Sequence, residues 1–267
     1  MPRIPPRILP ALAVLLTACG IPAAGSSSIL DKATLVVGVK PDQPGLGLRG
    51  ADGTYQGFDV DVAKYIARKL GAGVTFRSTP SSVRDKALQE GTVDLVVATY
   101  SITQERKTKI TFAGPYYVAH QDTAVRAGDP VTDVRDLAGR RLCQVTGSNS
   151  WRRVVEEKKI AADLVPSDSY SDCFTKLTAG AVDAVSTDDL ILAGFTQGGP
   201  LKIVNAPFTD EKYGIGLRKG ELDGCEAVNR AITEMYQDGT ARGLLTKWFG
   251  RSGLRLTTSV PQFEGCA

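Results

Sequence analysis

Histidine is nearly missing from this chain: there is one, His120, among 267 residues. With a single imidazole, and no serine or cysteine at a recognisable spacing from a base, the sequence offers no nucleophile–base pair on which to build a hydrolase. The five cysteines include no Cys-x-x-Cys pair, so no zinc site is indicated and neither metal nor cofactor is expected. An excess of one charge is also lacking. The formal net charge is +3, two of it from Arg3 and Arg7, and no basic run occurs, which argues against nucleic acid as a partner. Long apolar runs are absent as well. Residues 8–16 come nearest, at roughly half the ~18–20 residues a membrane-crossing helix needs, and Pro10 interrupts them.

That short apolar stretch matters for what surrounds it. Arg3 and Arg7 precede it, and Leu16, Thr17, Ala18 and Cys19 close it. A positive start, an apolar middle and small residues at the end are the layout of a secretory signal, and the last four residues resemble the lipobox of bacterial lipoproteins. The resemblance implies a signal peptide over residues 1–18 and acylation of Cys19 with more than one chain, which is what stable anchoring requires. Residues 19–30, with Gly20, Pro22, Gly25 and three serines, read as a flexible tether. The body is therefore expected outside the cytoplasm, lipid-anchored to the cell membrane. About 237 residues remain, enough for one large domain or two small ones. In an oxidising compartment Cys143, Cys173, Cys225 and Cys266 are expected to pair, and three pairings are open.

Residues 35–39 form a compact β-branched run that suits a buried strand, and residues 57–71 follow as a helix. Asp59 is expected to cap its start, Val62, Ile66 and Leu70 to share its apolar face, and Gly71 to end it. A strand at 74–76 comes next. Leu88, Gly91, Val93 and Asp94 then recur as Leu177, Gly180, Val182 and Asp183, each 89 residues on. Each copy reads as helix, glycine stop and short strand, so two similar α/β units are expected. The strands run out at Thr99 and at Asp188, and ligands in open α/β sheets bind beyond strand carboxyl ends, so both become candidate site positions. Glycine and proline clusters at 114–115, 128–130, 200 and 207 suit two crossings between lobes. A strand at 213–217 and a helix over about 225–236 complete the outline.

The strings GFDVDVAKYIARKLG, TYSITQERKTKITFAGPYY and GAVDAVSTDDLILAGF stand in that order. Together they resemble the family 3 solute-binding proteins of ABC importers for polar amino acids, over about residues 33–250. The runs VKPDQPGLGL and CQVTGSNS are similar in kind to bacterial glutamate-binding lipoproteins. The resemblance implies an α/β, two-lobed periplasmic binding protein fold of type II, its lobes joined by two hinge crossings. Lobe 1 would comprise residues 31–120 and 207–267, and lobe 2 residues 121–206. Under that division Cys143 with Cys173, and Cys225 with Cys266, each stay within one lobe. A monomer is expected.

An α-amino acid carries a carboxylate and an ammonium on one carbon, so its receptor needs a cation, an anion and oriented dipoles. The family motif places the carboxylate ligand at Arg106, whose planar guanidinium gives two parallel hydrogen bonds; by itself the Glu105, Arg106, Lys107 run would read as solvated charge. Thr99 and Ser101 offer carbonyls or hydroxyls beside it. Asp188 supplies the anion for the ammonium, with Asp189 its neighbouring rival. Residues 146–150, with Ser148 and Asn149, precede an expected helix at 151–158, and their N–H groups would meet the carboxylate from the second lobe. By matched position Lys40 and Arg84 would face the distal end of the ligand and favour a γ-carboxylate, while Phe58 would pack on its aliphatic part. The function so implied is capture of an L-amino acid, glutamate first and aspartate next, by lobe closure, with delivery to a membrane permease. Presentation of the bound amino acid to a signalling protein is an alternative, and a dehydratase on the same fold a more distant one.

Overall fold

The computed structural model describes Met1 and residues 28–266; Cys19 and the rest of the expected signal segment lie outside the described residues. Twelve strands are present among the described residues: β1 (Thr34–Val39), β2 (Asp42–Gln43), β3 (Gly47–Arg49), β4 (Tyr55–Gln56), β5 (Gly73–Ser78), β6 (Leu95–Ser101), β7 (Ile110–Arg126), β8 (Arg141–Val145), β9 (Asp163–Ser167), β10 (Val185–Asp188), β11 (Leu201–Ile203) and β12 (Thr209–Arg218). Among them run α1 (Phe58–Lys69), α2 (Arg84–Gln89), α3 (Gln104–Lys107), α4 (Ser150–Arg152), α5 (Tyr170–Thr178), α6 (Asp189–Thr196), α7 (Leu222–Gln237) and α8 (Thr240–Phe249). No helix among the described residues is long and apolar enough to cross a membrane.

The two-lobed α/β architecture is built on one long strand. β7 is 17 residues long, about 55 Å at ~3.3 Å per residue. Its first part pairs antiparallel with β12, from Arg218 opposite Ile110 to Thr209 opposite Gln121, and its last part pairs with β10 and β11. On the other side of β12 come β6, β1 and β5, with β1 parallel to both neighbours. β6 is buried along its whole length because both faces are covered: Leu95 and Val97 enter the main core, while Val96, Ala98 and Tyr100 join a second cluster with Leu88 and Phe112. This is the near-continuous apolar run expected of a strand packed on both sides.

The sequence echo is structural. Leu88 sits in α2 and Leu177 in α5, Gly91 and Gly180 follow with φ of 66° and 75°, and the aspartates do the same work in each unit. Asp94 accepts the Val36 N–H of β1 at 2.8 Å, and Asp183 accepts the Arg141 N–H of β8 at 3.0 Å. Each carboxylate thus ties the start of its own short strand to the adjacent parallel strand. The disulfides are Cys143–Cys173, joining β8 to α5, and Cys225–Cys266, joining α7 to the C-terminal segment.

Three local expectations change. α1 begins at Gly57, whose φ of 138° and close approach to the Leu46 carbonyl admit no side chain, so Asp59 lies inside the helix, buried, instead of capping it. The helix expected at 151–158 is one turn of α4 running into a π-type turn at Arg153–Glu157. Finally, the end of the expected tether is ordered: Ile29–Asp31 form a 3-10 turn, and Ile29 is buried against α7 because an apolar side chain finds a place beside Gly224.

Candidate functional site

The carboxyl ends of β6 and β10 meet across the cleft, because three successive antiparallel pairings, β6 to β12, β12 to β7 and β7 to β10, make the two strands run in opposite directions. Arg84, Thr99 and Ser101 on one side, and Ser148, Asn149 and Asp188 on the other, line one inner cavity of about 10 Å³ together with Ser81, Ser150, Tyr170 and Ile191. That space admits about one water. An amino acid can enter only when the two sides part. A larger groove of about 840 Å³ opens outward from Arg106, Ser148 and Asn149.

Thr99 has φ of 45°, a left-handed conformation that a β-branched residue rarely adopts and that costs on the order of 1–3 kcal/mol. What holds it is Asp59. One carboxylate oxygen accepts the Thr99 N–H at 2.9 Å and the other the Tyr116 hydroxyl at 2.7 Å. Burial drives the Asp59 carboxyl up to about 7. Thr99 also donates its hydroxyl to Gln43 Oε1 at 3.1 Å, so the strand end is fixed from two directions.

Two guanidinium groups converge here. Arg106, on α3, donates to the Ser101 carbonyl at 2.8 Å and to the Gly147 carbonyl at 3.1 Å. Arg84, at the start of α2, donates to the carbonyls of Ala98, Thr99 and Gly147 at 2.9, 3.3 and 3.3 Å. Both cations lie over the Tyr100 ring, 4.2 Å (Arg84) and 4.9 Å (Arg106) from its centroid, an attraction that offsets part of their mutual repulsion. Burial and the charge of Arg106 lower Arg84 to about 10. Lys40, just past β1, is buried and donates to Ser81 Oγ, reaching the cavity through that serine; burial and the Arg84 charge hold its ammonium well below the ordinary lysine range. The acceptors of these three cations are all neutral oxygens, although each is a full charge away from bulk water.

The opposite side supplies the anion. Asp188, the last residue of β10, is 4% exposed and among the described residues accepts only the Tyr213 hydroxyl, at 2.7 Å. Burial, and then the like charge of Glu211, push its carboxyl well above the usual range. Glu211 itself is matched by Arg153 at 2.7 Å. Asp189 faces away from the cavity, satisfied by the N–H groups of Leu190 and His120, and is raised by burial to about 6.

Three of the five N–H groups in the 146–150 turn are taken up inside the second side. The N–H groups of Thr146, Ser148 and Ser150 are used within the second side, by Ser167 O, Val145 O and Ser148 Oγ. The turn also presents the Gly147 carbonyl, aimed at both arginines, and a hydroxyl cluster in which Tyr170 Oη lies 2.8 Å from Ser148 Oγ and 3.0 Å from Ser150 Oγ. Gly147 has φ of 77°, and a Cβ there would meet the Ser81 carbonyl at 2.5 Å. Asn149 donates to Glu211 at 3.4 Å. Phe58 does not belong to the site. It is fully buried against Tyr116, Tyr117 and Phe249, with centroids 6.1, 6.1 and 6.4 Å away, because the first turn of α1 faces the core.

Tyr100, Tyr170, Tyr213 and Ser81 have no place in the sequence reading, and Asp59 enters it only as a helix cap. The aromatics gave no signal, since a tyrosine inside an apolar strand is indistinguishable from core. Only Asp59 could have been noticed, as a carboxylate at a helix position whose neighbours are apolar.

The model of bacterial extracellular solute-binding proteins, family 3, matches residues 35–251. The glutamate-binding protein GluB of Corynebacterium glutamicum is 38% identical over 266 residues, covering 93% of this chain and 90% of the relative. The glutamine-binding protein GlnH of an ABC transporter in Bacillus subtilis is 32% identical, with coverage of 88% and 92%. Among solved structures, an ancestral arginine-binding protein bound to arginine superimposes with a TM-score of 0.76 at 36% identity, covering 82% of this chain and 99% of that one.

Proposed function

This chain belongs to the family 3 bacterial extracellular solute-binding proteins, and we propose that within that family it captures an acidic L-amino acid, glutamate before aspartate, by closure of its lobes. One observation carries the choice of an anionic ligand: Arg84 lines the cavity opposite the buried carboxylate of Asp188, and two more buried cations stand behind it, Arg106 beside it over the Tyr100 ring and Lys40 behind Ser81. A zwitterion cancels one charge of each sign. The remaining positive charge calls for a second carboxylate, whereas a cationic side chain would meet like charge in a low-dielectric site. The relative GluB, described as glutamate-binding, supports the same choice.

In this mechanism Arg106 holds the α-carboxylate where the Gly147 carbonyl now sits, Ser101 and Thr99 frame it, and Arg84 and Lys40 meet the side-chain carboxylate. Asp188 takes the ammonium and Tyr170, with Ser148 and Ser150, closes the cavity from the second side. Contacts from both sides exist together only when the cleft is shut, and that difference in affinity is what drives closure. We assign residues 31–120 and 207–267 to lobe 1 and 121–206 to lobe 2, with β7 and β12 as the two crossings. The protein acts as a monomer, anchored through acylated Cys19 outside the cell membrane, and hands its amino acid to an ABC permease in place of a sensor kinase or an enzymatic step. Titration calorimetry of residues 28–267 against the common amino acids tests this reading. Glutamate should bind most tightly; tightest binding of arginine would reject it.

A further inference from the structure

Outside the ligand cavity a second set of contacts crosses the cleft, and it involves one hairpin. The turn between β2 and β3 reaches over to two helices of the other side. Asp42 Oδ2 accepts the N–H of Ser171 at 3.3 Å. Ser171 lies in the first turn of α5, where amides have no partner within the helix and the dipole favours a negative charge. Two residues on, the Pro44 carbonyl lies directly against Gly194 of α6: a Cβ built on Gly194 would stand 2.2 Å from Pro44 O and 3.1 Å from Pro44 C. The obstruction is backbone, so no rotamer change relieves it. Gly45, next in the turn, has φ of 80° and packs against Phe249 behind the hairpin, which fixes the turn from its own side.

Glycine has no local reason to occupy position 194. It lies inside α6 with no positive φ, where alanine is favoured by about 1 kcal/mol. Among the described residues, the feature that requires it is the hairpin across the cleft. Asp42, Pro44 and Gly194 are also absent from the residues lining the inner cavity.

We propose that residues 42–45 and Gly194 form a latch that sets how far the lobes close, and through it the affinity for every ligand alike. The proposal rests on the binding reading above, since closure has a measurable consequence only if closure is coupled to a ligand. Apparent affinity scales with the fraction of molecules able to reach the closed state. A change that cuts this fraction to a tenth weakens all ligands about tenfold without altering their order. A residue that touches the ligand changes the order.

The test uses G194A and D42A beside the wild type, with calorimetric titration of L-glutamate, L-aspartate and L-glutamine, small-angle scattering with and without saturating glutamate, and thermal melts. G194A should melt no lower than wild type, stay expanded with glutamate, and lose at least about tenfold in affinity by the same factor for each ligand that the wild type binds. D42A should weaken the same ligands equally and by less. Wild-type affinity and compaction in G194A, or losses that differ between ligands, overturn the latch. If wild type binds none of the amino acids the binding reading fails, and scattering still judges the latch: profiles of G194A that track wild type in both conditions refute it.

Discussion

Replacing Arg106 by alanine removes the guanidinium that donates at 2.8 Å to Ser101 O and at 3.1 Å to Gly147 O. When a ligand carboxylate takes the place of the Gly147 carbonyl, that second bond becomes a charge-assisted contact in a site shielded from water. Stripping one partner from such a pair costs about 2–5 kcal/mol. At ~1.4 kcal/mol per tenfold, the dissociation constant for glutamate should rise by about 25- to 4,000-fold. R106K keeps the charge but gives up the planar two-pronged donor, and should lose about 1.5–3 kcal/mol, one hydrogen bond to a charged group. Folding should not suffer, because Arg84, lowered to about 10 by burial and then by the Arg106 charge, is released from that like charge. The assay is titration calorimetry, with a circular dichroism melt as control. An R106A protein that melts like wild type and binds glutamate with undiminished affinity would refute the assignment, and a melt that collapses would show that Arg106 serves the fold.

D188N should bind glutamate about 2–5 kcal/mol more weakly yet melt higher at neutral pH, since the wild-type carboxylate is buried beside Glu211 with only a phenol as donor; equal affinity in calorimetry would remove Asp188 from the site. R84A should weaken glutamate more than glutamine, and equal losses for the two ligands would end the account of selectivity. Asp59 governs a pH effect whose sign is fixed by its raised pKa. Its carboxyl titrates at 3.8 unfolded and about 7 folded, so its contribution to stability is fully present below the unfolded value and is lost as pH rises through about 7. The melting temperature should therefore fall between pH 5 and pH 8 (about two pKa units over that window, on the order of 3 kcal/mol at most), and D59N should flatten that fall; an unchanged slope in D59N would contradict it.

Much of the architecture was legible because it is carried by pattern. The repeat of Leu88 to Asp94 at Leu177 to Asp183 marked two α/β units, and in the structure the paired aspartates each tie a strand start to its neighbour. Strand ends placed Thr99 and Asp188, and these do line one cavity. The positions of Phe58 and Asp59 show what pattern misses. Gly57 at the helix start rotates α1 so that Phe58 enters the core and Asp59 points at the end of β6, a consequence of one backbone angle that no periodicity reports. Likewise Tyr100, Tyr170 and Tyr213 read as apolar filling, because their hydroxyl partners Asp85, Ser148 and Asp188 come from segments distant in the chain.

The central claim is that one ligand is gripped at its α-carbon by charges from the two sides of the cleft. A crystal structure grown with saturating L-glutamate tests it directly. The α-carboxylate should displace the Gly147 carbonyl from Arg106, with the ammonium on Asp188 and the side-chain carboxylate against Arg84 and Lys40. A ligand bound with the Arg106–Gly147 contact intact, or with its ammonium away from Asp188, would contradict the account.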